Sequence, residues 1–539
     1  MRCPPLPLVD AAADLDAVRA NDGVPLFLAR AEAATGSFTL DGAAASAIAE
    51  ICARLDGLPL AIELAAARVA VLPPPVLLRR LDQRLPLLTG GAHDVDPRQR
   101  TLRAAIEWSY ELLDVGQRKL FERLSVFVDG CRFEAVEAVC DHERDVGLDL
   151  LDGLQDLVDK SLLRQRPDPD GDPRFWLLET IREYGLERLR EHGQFDAVAQ
   201  AHADHYLAVA ERSRDSHEQE TLSMRALEAD HENLRAANSW FHSVGQREAE
   251  LRLVSALAGF WDLRGHYGEA WTRIRAALEA SQAEATIVRA RALAAASDFA
   301  RIAGHVDLAR QFCEECLAIS RQIGDQPGVA RALHELGEAA LEQEAYADAT
   351  ALFEEAIEVG RAAGLPAAGS TGNLGWVALL QGDPQRADNL FQQSLELFRA
   401  RGHLSGILVG LSNLAETKLA LLQPELARDY LLEGLRLAQE AEAAGDVANE
   451  MLETAAALLL EVGAPEEAAR LTGASDALFE ANPFSMHPAE QRRRHEIRAT
   501  IDARLGAAAE QLRHEGREAA GRAIDLAVEA LADTASGVR

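Results

Sequence analysis

At 539 residues the chain is too long for one hydrophobic core and should divide into about three or four units. Apolar residues make up 48% but aromatics only 5%, which favours helices packed through small side chains. The formal charge of −32, spread along the sequence, excludes a general attraction to nucleic acid or anionic lipid, and no apolar run long enough to span a bilayer and no leader pattern is present. A cytoplasmic chain that touches no membrane is therefore expected.

In chain order, the first elements are two amphipathic helices, around Pro25–Ala34 and Ala43–Ala70, the second breaking or bending near Gly57 and Pro59. Pro73-Pro74-Pro75 closes it, a short helix runs to about Leu88, and Thr89-Gly90-Gly91 opens a loop to Pro97. From Thr101 the spacing predicts helices at Thr101–Leu113, Gly116–Phe127, Phe133–Cys140 and Gly147–Val158. Two strands follow, Ser161–Arg166 and Arg174–Leu178, joined by the turn cluster Pro167-Asp168-Pro169-Asp170-Gly171-Asp172-Pro173. Helices followed by such a hairpin make a winged helix. A helical stretch from Thr180 to about Gly245 connects it to the remainder.

From about Leu251 to Phe479 the sequence repeats. Ala270, Ala309, Ala349, Ala387, Ala427 and Ala468 are spaced by 39, 40, 38, 40 and 41 residues. A small residue lies twelve positions before each (Ala258, Ser297, Gly337, Gly375, Ala415, Ala456) and another seven after (Ala277, Cys316, Ala356, Ser394, Gly434, Ser475). The pattern is that of helix pairs meeting through small residues and resembles the tetratricopeptide repeat. Six units exceed the roughly three needed for a stable stack. Asn482-Pro483-Phe484-Ser485-Met486-His487-Pro488 breaks the array, and two or three charged helices run on to about Asp533.

Three motifs carry a family resemblance. The first is Gly57-Leu58-Pro59-Leu60-Ala61, followed by Ile62-Glu63-Leu64-Ala65; the second is Trp176-Leu177-Leu178-Glu179-Thr180-Ile181-Arg182-Glu183-Tyr184; the third is Glu228-Ala229-Asp230-His231-Glu232-Asn233-Leu234-Arg235. Together they resemble bacterial transcriptional regulators of the STAND class, signalling ATPases of NB-ARC type with a winged helix and tetratricopeptide repeats. The resemblance implies that Pro59, with Gly57 and Leu58, lies near bound adenine, and that the winged helix packs as a hinge. It also implies a P-loop upstream. A P-loop needs Gly-Lys followed by Ser or Thr; only Lys160 precedes a Ser or Thr here, and Asp159, not a glycine, stands before it. The nucleotide-binding core is therefore expected to be missing.

The expected fold is mostly α: a remnant helical ATPase subdomain (1–97), a winged helix with a small β-hairpin (98–195), a helical connector (196–250), a tetratricopeptide-like α-solenoid (251–480) and C-terminal helices (481–539). No cofactor, metal or catalytic constellation is expected. Cys313 and Cys316 occupy packing positions of the repeat, and His202 with His205 lacks a third ligand. The helix before the hairpin carries Asp149, Asp152 and Asp156 and no cation, so direct DNA reading is disfavoured. The best binding surface is the face formed by the first helix of each repeat. Arg252, Arg291 and Arg331 recur there at one equivalent position, with Arg301, His334 and Trp376 nearby. Such a groove could hold a protein partner or an anionic effector, or its arginines could pair with neighbouring carboxylates such as Asp298 and Glu338.

The function expected is non-catalytic regulation through partner or effector binding in the repeats. Two alternatives stand beside it: a regulator that contacts DNA directly or with a separate ATPase half, and an ATPase with a noncanonical pocket. Self-association is open.

Overall fold

The computed structural model describes residues 23–35, 42–55, 59–70, 72–79, 102–168, 171–215, 220–281, 284–443, 446–481 and 483–535. The chain forms two compact units, residues 1–206 with 229–240, and residues 207–228 with 241–539. It is mostly helical with one small sheet, as the composition requires.

In the first unit, helices α1 (Gly23–Thr35), α2 (Gly42–Arg54), α3 (Pro59–Ala67) and α4 (Pro74–Arg79) precede the winged helix. Phe27, Ile48, Ile51, Ile62 and Leu77 are buried among them. The stretch expected from 43 to 70 breaks near Pro59, as anticipated: α2 ends at Arg54, and Pro59, which needs no amide partner in a first turn, opens α3. The expected continuation from Arg79 to Leu88 lies outside the described residues.

The winged helix comprises α5 (Leu102–Glu111), α6 (Val115–Leu124), β1 (Cys131–Arg132), a short turn of helix, α7 (Leu150–Asp159), β2 (Arg164–Pro167), β3 (Pro173–Trp176) and α8 (Glu179–Glu191). Asp114 starts α6: its carboxylate accepts the Gln117 amide at 2.8 Å while the Gln117 side chain accepts from the Asp114 amide. Leu120, Phe121, Leu154, Leu157 and Tyr184 form the core. The sheet has three antiparallel strands in the order β1-β3-β2, one more than the hairpin expected. The extra strand is two residues long, too short to show any alternation in sequence. Gly130 beside it has φ +82°, and a Cβ there would meet the Phe175 carbonyl at 2.4 Å. Only glycine lets the backbone approach β3 so closely.

The helical stretch expected to 245 is four helices, α8 and then α9 (Phe195–Asp215), α10 (Glu220–Ala229) and α11 (His231–Val244). Residues 229–240 fold with the first unit rather than with the repeats.

Six helix pairs follow: α12 (Arg247–Arg264) with α13 (Tyr267–Ala280), α14 (Ile287–Ile302) with α15 (Val306–Ile323), α16 (Gln326–Glu342) with α17 (Tyr346–Ala362), α18 (Ala368–Leu380) with α19 (Pro384–Arg399), α20 (Leu404–Ala420) with α21 (Pro424–Ala441), and α22 (Asp446–Glu461) with α23 (Pro465–Ala481). The register explains the packing. The recurring alanines from Ala270 to Ala468 are all buried, as is the residue four positions on: Ile274, Cys313, Phe353, Phe391, Leu431 and Thr472. In the second, third and fourth units this side chain, Cys313, Phe353 or Phe391, meets the small residue of the first helix. A Cβ on Gly337 would stand 2.5 Å from the Phe353 ring, and Ser297 Oγ lies 2.8 Å from Cys313 Sγ. Thr472 is buried in the last unit, where the third, fourth and fifth carry the larger Phe353, Phe391 and Leu431.

The array curls until its ends meet. The Tyr267 hydroxyl, at the start of α13, accepts the Asp446 amide of α22 at 2.6 Å, and Arg264 donates to the Glu442 carbonyl at 2.8 Å. Three more helices, α24 (Pro488–Leu505), α25 (Ala508–Glu518) and α26 (Ala523–Ala535), pack on the last units.

Candidate functional site

Gly57 and Leu58 lie outside the described residues. Pro59 begins α3, whose Ala61, Ile62, Ala65 and Ala66 are buried, and Glu63 pairs with Arg30 of α1 at 2.6 Å. Among the described residues of this segment, buried apolar side chains and one ion pair offer no phosphate cradle.

The strands of the winged helix commit their arginines internally. Arg174 on β3 donates to Asp230 at 2.9 Å and to the Gly130 carbonyl at 2.9 Å; Arg166 pairs with Asp129 at 2.8 Å; Arg132 pairs with Asp168. Arg164 and Arg166 also lie over the Trp176 ring at 5.4 and 5.7 Å. The helix that would enter a groove of DNA, α7, exposes Asp152, Gln155, Asp156 and Asp159. Lys160 at its end donates to the Gln117 side chain at 2.9 Å. The Asp230–Asn233 motif is explained by the same junction. Asn233 accepts the Val128 amide at 2.8 Å and donates to the Gly130 carbonyl at 2.9 Å, while buried His202 meets its Oδ1 at 3.1 Å. Burial pulls the His202 ring down to about 4, so it is neutral at pH 7.

The arginines expected in the repeat groove are distributed unevenly. Arg252 makes a two-pronged pair with Glu211 of α9, at 2.9 and 2.7 Å. Arg291 is exposed on α14, with no ion pair among the described residues. Arg301 pairs with Glu338 at 3.2 Å and Glu342 at 3.3 Å, and Arg331 with Asp298 at 3.0 Å and Glu335 at 3.5 Å. His334 meets Glu338 at 3.3 Å and the Ser370 hydroxyl at 3.1 Å. Arg301, Arg331 and His334 thus belong to one network with their neighbours' carboxylates. Their charge is spent there rather than offered as a free ladder.

Around that network the first helices are acid-rich. Burial pushes the Asp262 carboxyl well above its ordinary range, and Asp446 and Asp298 add to the shift. Burial likewise raises Glu335, which shares a hydrogen bond with Asp298. Glu450 is raised by burial and then by Glu490. Glu338 goes the other way: burial would raise it, but Arg301 and His334 outweigh that and hold it low. Asp298, Glu335 and Glu338 bring oxygens within 4.8 Å of one another, a spacing a cation could use, but Arg331 and Arg301 already serve them.

The segment Pro483–Pro488, expected to break the array, runs across this surface. Phe484 packs edge-on against Tyr267 (centroids 6.1 Å apart) and against Phe479 (5.2 Å). The Ser485 amide donates to the Ile302 carbonyl at 2.5 Å. His487 is buried; its Nε2 donates to the Leu341 carbonyl at 3.1 Å and its ring stands edge-on to Trp376 at 6.3 Å. In α24, Arg492 pairs with Glu344 at 3.1 Å, Arg493 with Glu416, and Arg498 with Glu453 at 2.8 Å. The strap formed by Pro483–Arg498 therefore touches all six repeat units, mostly at the C-terminal ends of their first helices. A signal for it was present: a proline-bounded aromatic stretch, then Arg492-Arg493-Arg494, facing an acidic array.

The two cysteines of Cys313-Glu314-Glu315-Cys316 point to different partners, Cys316 donating to the Ala290 carbonyl at 3.2 Å. They fill packing positions.

Comparison with known proteins agrees with this geometry. Residues 113–190 match the winged helix-turn-helix domain family and residues 288–362 the tetratricopeptide repeat family. A protein of Mycobacterium tuberculosis strain H37Rv and one of Mycobacterium bovis, each bearing the name "Putative HTH-type transcriptional regulator", are 38% identical over 332 residues. The match covers 59% of this chain and 37% of each relative, so the chain spans little more than a third of their length. A solved Pyrococcus horikoshii protein, titled a signal transduction ATPase with numerous domains and a tetratricopeptide repeat sensor, is 14% identical, with 96% of this chain and 74% of that one covered and a TM-score of 0.41. A likeness at that score carries no functional argument. The chain is thus similar to helix-turn-helix transcriptional regulators and combines a winged helix with tetratricopeptide-like repeats. No helix among the described residues is long and apolar enough to cross a membrane.

Proposed function

We propose that this chain is a non-catalytic regulatory part of a transcriptional regulator, taking a protein partner on the first helices of its repeats, with the winged helix as the relay. The observation that carries this reading is the contrast between the two candidate surfaces. The winged helix pairs the arginines of its strands, Arg132, Arg166 and Arg174, and turns carboxylates outward on α7. The first helices of the repeats bring charged side chains of successive units together, Arg301 with Glu338 and Arg331 with Asp298, and Glu416 of the fifth unit meets Arg493.

Useful nonspecific affinity for DNA takes several phosphate contacts, and the acidic face of α7 repels them. Between a protein and an anionic effector, the surplus of carboxylates around Arg301 and Arg331 favours a partner that brings its own cations. The ancestry we infer is the STAND class, with residues 23–79 a relic of its helical subdomain. No Gly-Lys-Ser or Gly-Lys-Thr occurs in the 539 residues, so we infer no ATP hydrolysis by this chain.

A mobility-shift titration on duplex DNA at low salt tests the reading directly. We expect no shift at micromolar chain; nanomolar binding would favour instead the DNA-contacting regulator that the winged helix-turn-helix match suggests. Titration with a fluorescent ATP analogue should not saturate in the micromolar range. The charge reversal Glu416→Arg should abolish capture of the cognate partner.

A further inference from the structure

The strap Pro483–Arg498 is irregular over its first five residues and then enters α24. In the irregular part the backbone bond from Ser485 to Ile302 is joined by side-chain contacts of Phe484 and His487. Beyond it, arginines meet carboxylates of the array: Arg493 with Glu416 and Arg498 with Glu453. Aromatic contact, one main-chain bond and charge-assisted pairs are the means by which a groove holds a foreign peptide.

Charge accounts for the choice of occupant. The first helices carry twelve carboxylates against seven arginines and one lysine, and in the last two pairs, where the strap's arginines land, Glu416, Asp446, Glu450, Glu453 and Glu461 stand against Lys418 alone. A segment bringing several guanidinium groups relieves that imbalance, and an acidic segment would worsen it.

We propose that Pro483–Arg498 is an intramolecular stand-in for the partner, and that the repeats take a polypeptide segment with an aromatic residue followed by clustered arginines, which must displace this strap. The inference rests on the repeats being the binding surface and adds what they bind and how access is controlled. The tether sets the threshold. A segment joined to the array by a short linker competes at an effective concentration in the millimolar range, so a free peptide of equal contacts binds poorly until the strap is weakened.

The probe is a fluorescent peptide of residues 483–499, titrated by anisotropy into the full chain and into a Phe484→Ala/His487→Ala/Arg493→Ala variant. The variant should bind at least tenfold more tightly than the unaltered chain, and adding Glu416→Arg should remove the gain. Equal affinity for both chains would overturn the proposal. Hydrogen exchange on the unaltered chain avoids any folding defect of the variant: saturating peptide should raise exchange of the Ser485 amide. Unchanged exchange at saturation would make the strap a permanent part of the fold and overturn the proposal, while loss of cognate-partner capture in Glu416→Arg would still uphold the repeats as the binding surface.

Discussion

Arg174 and Asp230 are ion-paired at 2.9 Å inside the first unit, with the arginine side chain 2% and the aspartate 11% exposed. The pair ties the middle strand of the wing to the start of α11, 56 residues on, and the same guanidinium holds the Gly130 carbonyl. It explains why an arginine on the wing faces inward and why Asp230 opens the Asp-His-Glu-Asn run.

Removing one partner leaves the other charged and buried. Arg174→Ala or Asp230→Ala should each cost about 3–5 kcal/mol, whereas a double replacement by apolar residues of similar volume should cost clearly less than the sum. Urea unfolding of the single and double variants measures this; additive losses would mean the two residues act separately.

His202 gives a pH dependence of known sign. Its ring is held at about 4 by burial, against an ordinary value of 6.5. The unfolded chain therefore takes up a proton that the folded chain refuses, and stability falls as pH drops from 6.5 through 4, by about 3 kcal/mol in all. His202→Gln can keep the Asn233 contact without titrating. Its stability should fall less steeply than the parent's over that window in thermal melts from pH 7 to 4.

Glu490 titrates in the opposite sense. Burial above all, then the charge of Glu416, raises it to about 7 from 4.5, while its carboxylate accepts the His487 amide at 3.1 Å. The folded chain keeps a proton that the unfolded chain releases, so stability declines as pH rises from 4.5 through 7. Glu490→Gln preserves the acceptor and removes the charge. A higher Tm than the parent at pH 8.5, with little difference at pH 5, is the expected result.

Gly473 on α23 and Gly516 on α25 let two helices touch backbone to backbone. A Cβ on Gly473 would lie 2.0 Å from the Arg513 carbonyl, and one on Gly516 1.9 Å from that of Arg470. Neither carbonyl can rotate away as a side chain could. Gly473→Ala should cost roughly 1–3 kcal/mol or more and speed hydrogen exchange in α25; an unchanged Tm would refute so close a crossing.

The repeats were legible because their information is local. One alanine every 38 to 41 residues fixes a helix pair, and Ala270 to Ala468 are buried as that register requires. The winged helix was legible as an order of helices and a turn cluster, but not in its third strand, since Cys131 and Arg132 pair with residues more than forty positions away. The groove was half legible. Its arginines were located, yet whether Arg301 faces a ligand or Glu338 depends on how successive units curl, which no single repeat encodes. The partner of His487 was not legible for the same reason: Leu341 is 146 residues distant.

The contact between Tyr267 and Asp446 changes what kind of object the array is. In an open stack each unit answers only to its neighbours, and losing a terminal one is a local event. Here the first and last pairs are fastened, so the stack behaves as a hoop rather than a spring. Synthesis from the N-terminus brings Glu442, at the end of the fifth pair, to Arg264, and Asp446, opening the sixth, then adds the Tyr267 fastening that completes the circuit.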